Sequence, residues 1–370
     1  MSVRIVVLTF ISFCFIGSVN AKPSTTALIE AKQALGKALF FDPVLSVTGK
    51  QSCASCHAPS HGMADPGSLA VSSGAIKGQF TRRNAPTVSY AKFVPPRYFD
   101  KKEQHYVGGL FHDGRAQTLE KQMEGPMFSG AEMGNTSKKS VIDRLRSGAY
   151  LARFSALYGD AALANTETGM QQLAEVITQY ERSKEVNPFS SKYDYYLAGK
   201  VSLNKQEQRG LKVFSAENKG NCAACHPHEA TKSQTPPLFT DFTYDNLGVP
   251  VNPAYAGIFG EHNIGKNNIL PDRGLGEITR DKAQDGLFRV PTLRNIGKSA
   301  PYMHNGVFAS LKEVVEFYNE RDIKEQWGKP EVPQNVNKDE MGNLKLSEQD
   351  VEDLVAFLHT LTDGYKLSQK

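Results

Sequence analysis

The chain has little that would tie it to a membrane or to a highly charged partner. No stretch of its 370 residues is apolar for long enough to make a helical span of a bilayer. Charge of one sign is also scarce: 43 Lys and Arg face 39 Asp and Glu, a formal net charge of +4. That balance is too mild to argue for nucleic acid or for a strongly acidic partner. Cysteine is rarer still, with five in all. Cys14 lies among the first twenty residues, so four remain, and each has a defined place. Two stand in Cys53-Ala54-Ser55-Cys56-His57 and two in Cys222-Ala223-Ala224-Cys225-His226. C-x-x-C-H is the attachment pattern of a c-type haem: two thiols add across the vinyl groups, and the next residue brings an imidazole to the iron. The rival is a four-thiolate zinc site made of two C-x-x-C hooks. Zinc hooks need no histidine after each pair, and they usually lie closer together than these, which are about 170 residues apart. The pattern therefore reads as two covalent haems, ligated by His57 and His226.

The N-terminus carries Arg4, an apolar run from Ile5 to Ile16, and Val19-Asn20-Ala21. This order of charge, short apolar core and small residues reads as a secretory signal over residues 1–21, cut after Ala21 and removing Cys14. The run is too short for an anchor. A periplasmic protein follows, in keeping with haem attachment outside the cytoplasm. The length allows two domains with real cores. One haem in each gives an N-terminal domain over 28–200 and a C-terminal one over 201–366.

Lys22 to Thr26 forms a polar leader without periodicity, expected to be disordered. Leu28, Leu35 and Leu39 then keep helical spacing up to Phe41, and Asp42-Pro43 stops that helix. The first haem motif lies in a Gly-, Ser- and Pro-rich stretch reaching about Pro96, which cannot build a core alone but can wrap a large apolar cofactor. A short helix starts near Thr118, and Gly125-Pro126 is expected to break it. Gln122 is the polar residue on its apolar face; the residues alone allow a partly exposed glutamine there. Glu132, in the loop Gly130-Ala131-Glu132-Met133-Gly134, says nothing by itself, since most glutamates are solvated. Met170, Leu173, Ile177 and Tyr180 mark another amphipathic helix.

The second half opens with a capping box, Asn204 with Glu207, and a long Gly-, Pro- and Asn-rich segment from about 227 to 286 reads as extended loop. A second capping box, Ser310 with Glu313, begins a helix on which Leu311, Val314, Val315 and Tyr318 share a face. Tyr318 thus points inward. It is either a core tyrosine bonded to backbone or a phenolate ligand to iron. A closing helix starts at Ser347-x-x-Asp350 and carries Val351, Leu354, Leu358 and Leu361.

With Phe111-His112-Asp113-Gly114-Arg115 and Pro301-Tyr302-Met303-His304 added to the two haem motifs and Glu132, the chain resembles bacterial dihaem cytochrome c peroxidases and their MauG-type relatives. The likeness runs from about Leu35 to Thr362. It implies a mainly α fold of two cytochrome c-like haem domains with long loops. It also implies a calcium ion between them, held by an asparagine side chain and two carbonyls; the matching positions are Asn84, Ser299 and Pro301. The family's acid–base pair falls on Gln122 and Glu132, ten and twenty residues beyond His112. The distal ligand of its second haem falls on Tyr318, fourteen residues after His304; Met303 is the nearest sulfur alternative. His112 departs from the family pattern, standing where the inter-haem tryptophan is found, and becomes the candidate relay. No histidine matches the one that caps the first haem in the peroxidase branch. The first haem is therefore expected to be open.

The resemblance implies an oxidoreductase of the cytochrome-c peroxidase type. It would reduce hydrogen peroxide at the open haem with electrons from a small periplasmic cytochrome c or cupredoxin. Two alternatives stand beside it: a MauG-type oxidase acting on a residue of a protein substrate, and a non-enzymatic dihaem electron carrier. Nucleic acid has no place in any of these, and a homodimer is compatible with all three.

Overall fold

The computed structural model describes residues 24–67, 69–229, 235–260 and 270–367. The expected signal over 1–21, with Cys14, lies outside them. The first helix, α1 (Thr25–Phe41), begins earlier than its apolar spacing predicts. Part of the leader expected to be disordered is helical, because the Ser24 hydroxyl accepts the Ala27 amide at 3.2 Å and satisfies one of the free N–H groups of the first turn. At the other end, the Asp42 carboxylate accepts the Val44 amide at 2.8 Å and turns the chain away from the helix.

After the first haem motif, a short antiparallel hairpin pairs β1 (Tyr98–Asp100) with β2 (His105–Val107), Tyr98 opposite Val107. Four helices follow: α2 (Leu119–Phe128), α3 (Lys138–Ser147), α4 (Tyr150–Tyr158) and α5 (Thr166–Glu181). Their apolar faces meet around Leu39, Met127, Ile142, Phe154 and Leu173, all buried. Each such side chain contributes roughly 1.5–3 kcal/mol when fully removed from water.

Gly125-Pro126 does not end α2. Proline lacks an N–H, so the helical bond from position 126 is lost, yet the helix runs on to Phe128. The carbonyls at this end are taken up by the following loop. Pro126 accepts the Met133 amide at 3.1 Å, and Met127 accepts both the backbone amide and the side-chain Nδ2 of Asn135. The loop carrying Glu132 is thereby folded back onto the helix that carries Gln122.

The second half contains α6 (Lys192–Leu197), α7 (Lys205–Ser215), β3 (Tyr244–Asp245), α8 (Ala254–Phe259), α9 (Leu275–Thr279), β4 (Phe288–Arg289), α10 (Leu311–Glu320) and α11 (Glu348–His359). All three capping boxes expected here form, at Asn204, Ser310 and Ser347. Among its described residues, the stretch expected to be extended holds only short elements, including β3, which pairs with β4 just beyond it. Its core gathers Phe214, Phe239, Phe317, Phe357 and Leu361, and α6 inserts Tyr193 into it.

The two halves repeat one construction. In each, a helix leads into a haem motif and is crossed by the half's last helix at a glycine. A Cβ on Gly36 of α1 would overlap the Val176 carbonyl oxygen of α5; one on Gly210 of α7 would overlap the Asp353 carbonyl oxygen of α11. Only hydrogen fits at either crossing.

Buried charge closes the seam between the halves. Arg83 binds Asp272 at 2.6 and 2.7 Å and Asp113 at 2.5 Å. Backbone bonds run beside it: the Gly108 amide donates to Phe242, the Arg289 amide to His112, and the Asn84 amide to His304.

Candidate active site

Both haem motifs are single tight turns that present their histidine in the same way. The His57 amide donates to the Cys53 carbonyl at 3.0 Å, and the His226 amide to Cys222 at 2.9 Å. Each ring is then fixed by a carbonyl at Nδ1: Met63 lies 3.2 Å from His57, and Phe239 lies 2.7 Å from His226. A carbonyl only accepts, so Nδ1 holds the proton and Nε2 keeps its lone pair free for a metal. Burial holds both imidazoles below the ordinary histidine pKa, in the neutral form that ligates.

The surroundings fit haem. Cys53 packs among Phe40, Met63 and Tyr180 in the first half, while Cys222 packs in the separate second-half core. The two hooks that a four-thiolate zinc site would join therefore lie in different cores. Burial pushes the thiols of Cys53, Cys222 and Cys225 up to about 12. They are neutral sulfurs in largely apolar surroundings.

Glu132 sits in its loop between two backbone bonds: its amide donates to Ser129 at 3.1 Å, and its carbonyl accepts Ala75 at 2.7 Å. Burial raises its pKa above the ordinary glutamate value, against a hydrogen bond from Ser129 and the charge of Arg115. The carboxyl also lies within electrostatic reach of the first haem motif. Cys56 is pushed up to about 11 by burial and then by the charges of Asp65 and Glu132. Gln122 is half-buried on α2. The fold-back of the loop relates it to Glu132, with no hydrogen bond between the two side chains among the described residues.

A cavity of about 290 Å³ adjoins the second motif and is lined by Cys222, Cys225, His226, Met303 and Tyr318. Burial raises the Tyr318 pKa strongly, followed by the charges of Asp245, Cys222 and Cys225. Neighbouring tyrosines have partners: Tyr302 donates to Ile296 at 2.9 Å, Tyr244 to Gly108 at 2.5 Å and Tyr255 to Arg82 at 2.6 Å. The Tyr318 hydroxyl makes no such bond among the described residues. It faces the cavity, which is the arrangement a ligand needs and a bonded core tyrosine lacks. Met303 lines the same cavity at φ 72°.

The first half contributes Asn84 and His112 to this cavity, and the second half contributes Ser299 and Pro301. Asn84 commits its Nδ2 to the Ala70 carbonyl at 3.1 Å, so its Oδ1 remains available as a donor to a hard cation. His112 donates Nε2–H to the Asn84 carbonyl at 3.0 Å. Burial, then the charge of Arg83, pushes its pKa down to about 3.

Two buried carboxylates escape the motif reading. Glu331 lines the same cavity, with its Oε2 3.5 Å from His304 Nε2; it lies in an irregular segment, where no periodicity marks it. Glu181, on α5, raises the pKa of Cys53 through its charge. It follows Ile177 and Tyr180 at helical spacing, so a buried position was legible there.

Comparison with known proteins places these features in a family. The family model described as di-haem cytochrome c peroxidase matches residues 30–202, and the cytochrome c model matches residues 207–362. Methylamine utilization protein MauG of Paracoccus denitrificans is 38% identical over 364 residues, covering 93% of this chain and 90% of that protein. Cytochrome c551 peroxidase of Pseudomonas aeruginosa is 30% identical over 340 residues, covering 90% and 79%. The crystal structure of the diheme peroxidase BthA of Burkholderia thailandensis superposes with a TM-score of 0.81 at 35% identity, covering 92% and 87%.

Proposed function

This chain belongs to the di-haem cytochrome c peroxidase and MauG family, and from that premise we propose that it is a periplasmic peroxidase reducing hydrogen peroxide at its first haem. A haem held by Cys222, Cys225 and His226 would supply the electrons. The observation that carries this reading is Glu132, a buried carboxyl with a raised pKa in electrostatic reach of the first haem motif. An electron carrier has no use for a titrating group there.

Cys53, Cys56 and His57 would hold the first haem, and Cys222, Cys225 and His226 the second. The bound haems supply the redox chemistry that no side chain provides. The protein supplies proton handling and position. Glu132 takes a proton from the proximal oxygen of peroxide and returns it to the distal one, so that water can leave. Gln122 orients peroxide and water by hydrogen bonds. Tyr318, once iron displaced its proton, would give the second haem a hard anionic ligand, which favours oxidised iron and lowers the potential, where a thioether such as Met303 would raise it. His112 stands between the halves as a neutral imidazole. Asn84, Ser299 and Pro301 supply oxygen donors suited to Ca²⁺.

The source of electrons is a small cytochrome c or cupredoxin. Tyr318 and the 38% identity to MauG favour one second reading, in which the oxidising equivalents are spent on a residue of a partner protein. Turnover with peroxide and reduced cytochrome c separates the two. In the same assay Glu132→Gln should lower the peroxide-dependent rate roughly 10²–10⁴-fold while the protein keeps both haems by mass. The rising limb of the wild-type pH profile should lie above the ordinary glutamate range, because Glu132 must be deprotonated to act and its pKa is raised. An unimpaired variant removes Glu132 from the mechanism and the peroxidase reading with it.

A further inference from the structure

The chain contains one tryptophan, and it is not between the haem motifs, where His112 stands. Trp327 lies on the far side of the second site, in the short turn Glu325–Trp327 after α10. Its indole is half-buried, so part of it reaches the surface. The inner edge meets Phe317 at 5.7 Å and Phe308 at 5.8 Å between ring centroids, both edge-on. Phe317 in turn meets Tyr318 at 6.2 Å. Two ring contacts therefore separate the indole from the phenol that faces the second haem cavity. The indole Nε1 is sealed from solvent and has no acceptor among the described residues. A buried indole N–H normally finds an acceptor.

We propose that Trp327 is a redox relay between the protein surface and the second haem, through which a one-electron donor refills the site. The inference rests on the peroxidase reading above. Reduction of one H₂O₂ to two waters takes two protons from solvent and two electrons from the haem pair. Trp327 returns one electron to the second haem by way of the Phe317–Tyr318 contact and becomes its one-electron-oxidised indole. With no acceptor at Nε1 the proton stays, so the product is the radical cation. That species is a stronger oxidant than the neutral radical, which suits a relay that must be refilled and does not suit a store. A reduced cytochrome c or cupredoxin gives back the electron, and two such transfers complete one turnover.

The test uses the full dihaem protein made with ring-deuterated tryptophan, mixed with H₂O₂ without donor, frozen and examined by EPR. Trp327 predicts an organic radical whose hyperfine structure narrows with the deuterated ring and which is absent in Trp327→Phe. In that variant the haem bands should still respond to peroxide at the wild-type rate, while oxidation of reduced cytochrome c slows several-fold. A radical indifferent to the label, or no radical while the haem bands respond, overturns the relay and leaves the peroxidase reading intact. Haem bands that ignore peroxide in both proteins overturn the peroxidase reading itself. The labelled wild-type protein needs no substitution, so a folding defect in the variant cannot mask the answer.

Discussion

Glu181 makes a stability test with a definite sign and window. It is buried at the end of α5, and its Oε2 meets no donor among the described residues. Burial, opposed by the charge of Arg182 and reinforced by that of Glu120, raises its pKa from 4.5 to about 8. The folded protein thus keeps a proton that the unfolded chain releases between those values. Below the lower value the group is neutral in both states and contributes no difference. As pH rises toward 8 the unfolded state gains, so stability falls, and above that the full penalty is present. At about 1.4 kcal/mol per unit, the penalty at pH 7 is roughly 3 kcal/mol. Glu181→Gln keeps the shape and removes the titration. Urea unfolding of the dihaem protein, followed for both forms across this range, should give curves that diverge with rising pH, the variant gaining roughly 3 kcal/mol relative to wild type by neutrality. The amide's own burial cost does not depend on pH, so the divergence is the signal and the offset is not. Parallel curves would refute the reasoning, because they would show that Glu181 ionises equally in both states.

Two further outcomes are expected. In Tyr318→Phe the second haem should change its EPR signal, either opening the iron or passing ligation to Met303 with a rise in potential; unchanged spectra would make it a core tyrosine. Gly210→Ala should lower the unfolding free energy by about 1–3 kcal/mol or more, since its methyl must displace the Asp353 carbonyl of α11, and an unshifted thermal transition would mean that the crossing yields freely.

What the sequence made legible were features carried by local spacing. The capping boxes at Asn204, Ser310 and Ser347 each need two residues three apart, and all three form. The inward face of Tyr318 follows from the phase of Leu311 and Val315 on the same helix. Features set by distant partners were harder to read. Pro126 was expected to end α2, yet the helix continues because Met133 and Asn135, in the next loop, bind its last carbonyls. Nothing local announces that Arg83 will hold Asp113 and Asp272, residues 30 and 189 positions away. Family likeness supplied what spacing could not: Glu132 gains meaning only from its distance to Phe111-His112-Asp113, and its burial becomes visible only once the loop is folded.

The seam also bears on why histidine is tolerable at position 112. Arg83 presses a positive charge against His112, and its own charge is fixed by one carboxylate from each half, Asp113 and Asp272. Burial first, and then that charge, hold the imidazole neutral down to about pH 3, and its Nε2–H is committed to Asn84. A residue protonated there would set a positive charge at the seam, beside the second-site cavity, and disfavour further positive charge in it. Neutral and hydrogen-bonded, His112 keeps that space free of charge, but an imidazole is much harder to oxidise than an indole. Under the proposed function, the position would then serve coupling through bonds and contacts while giving up the role of a stopping point for a hole. That division of labour makes the location of the lone tryptophan, beyond Tyr318 and toward the surface, consequential for the direction in which this chain takes in electrons.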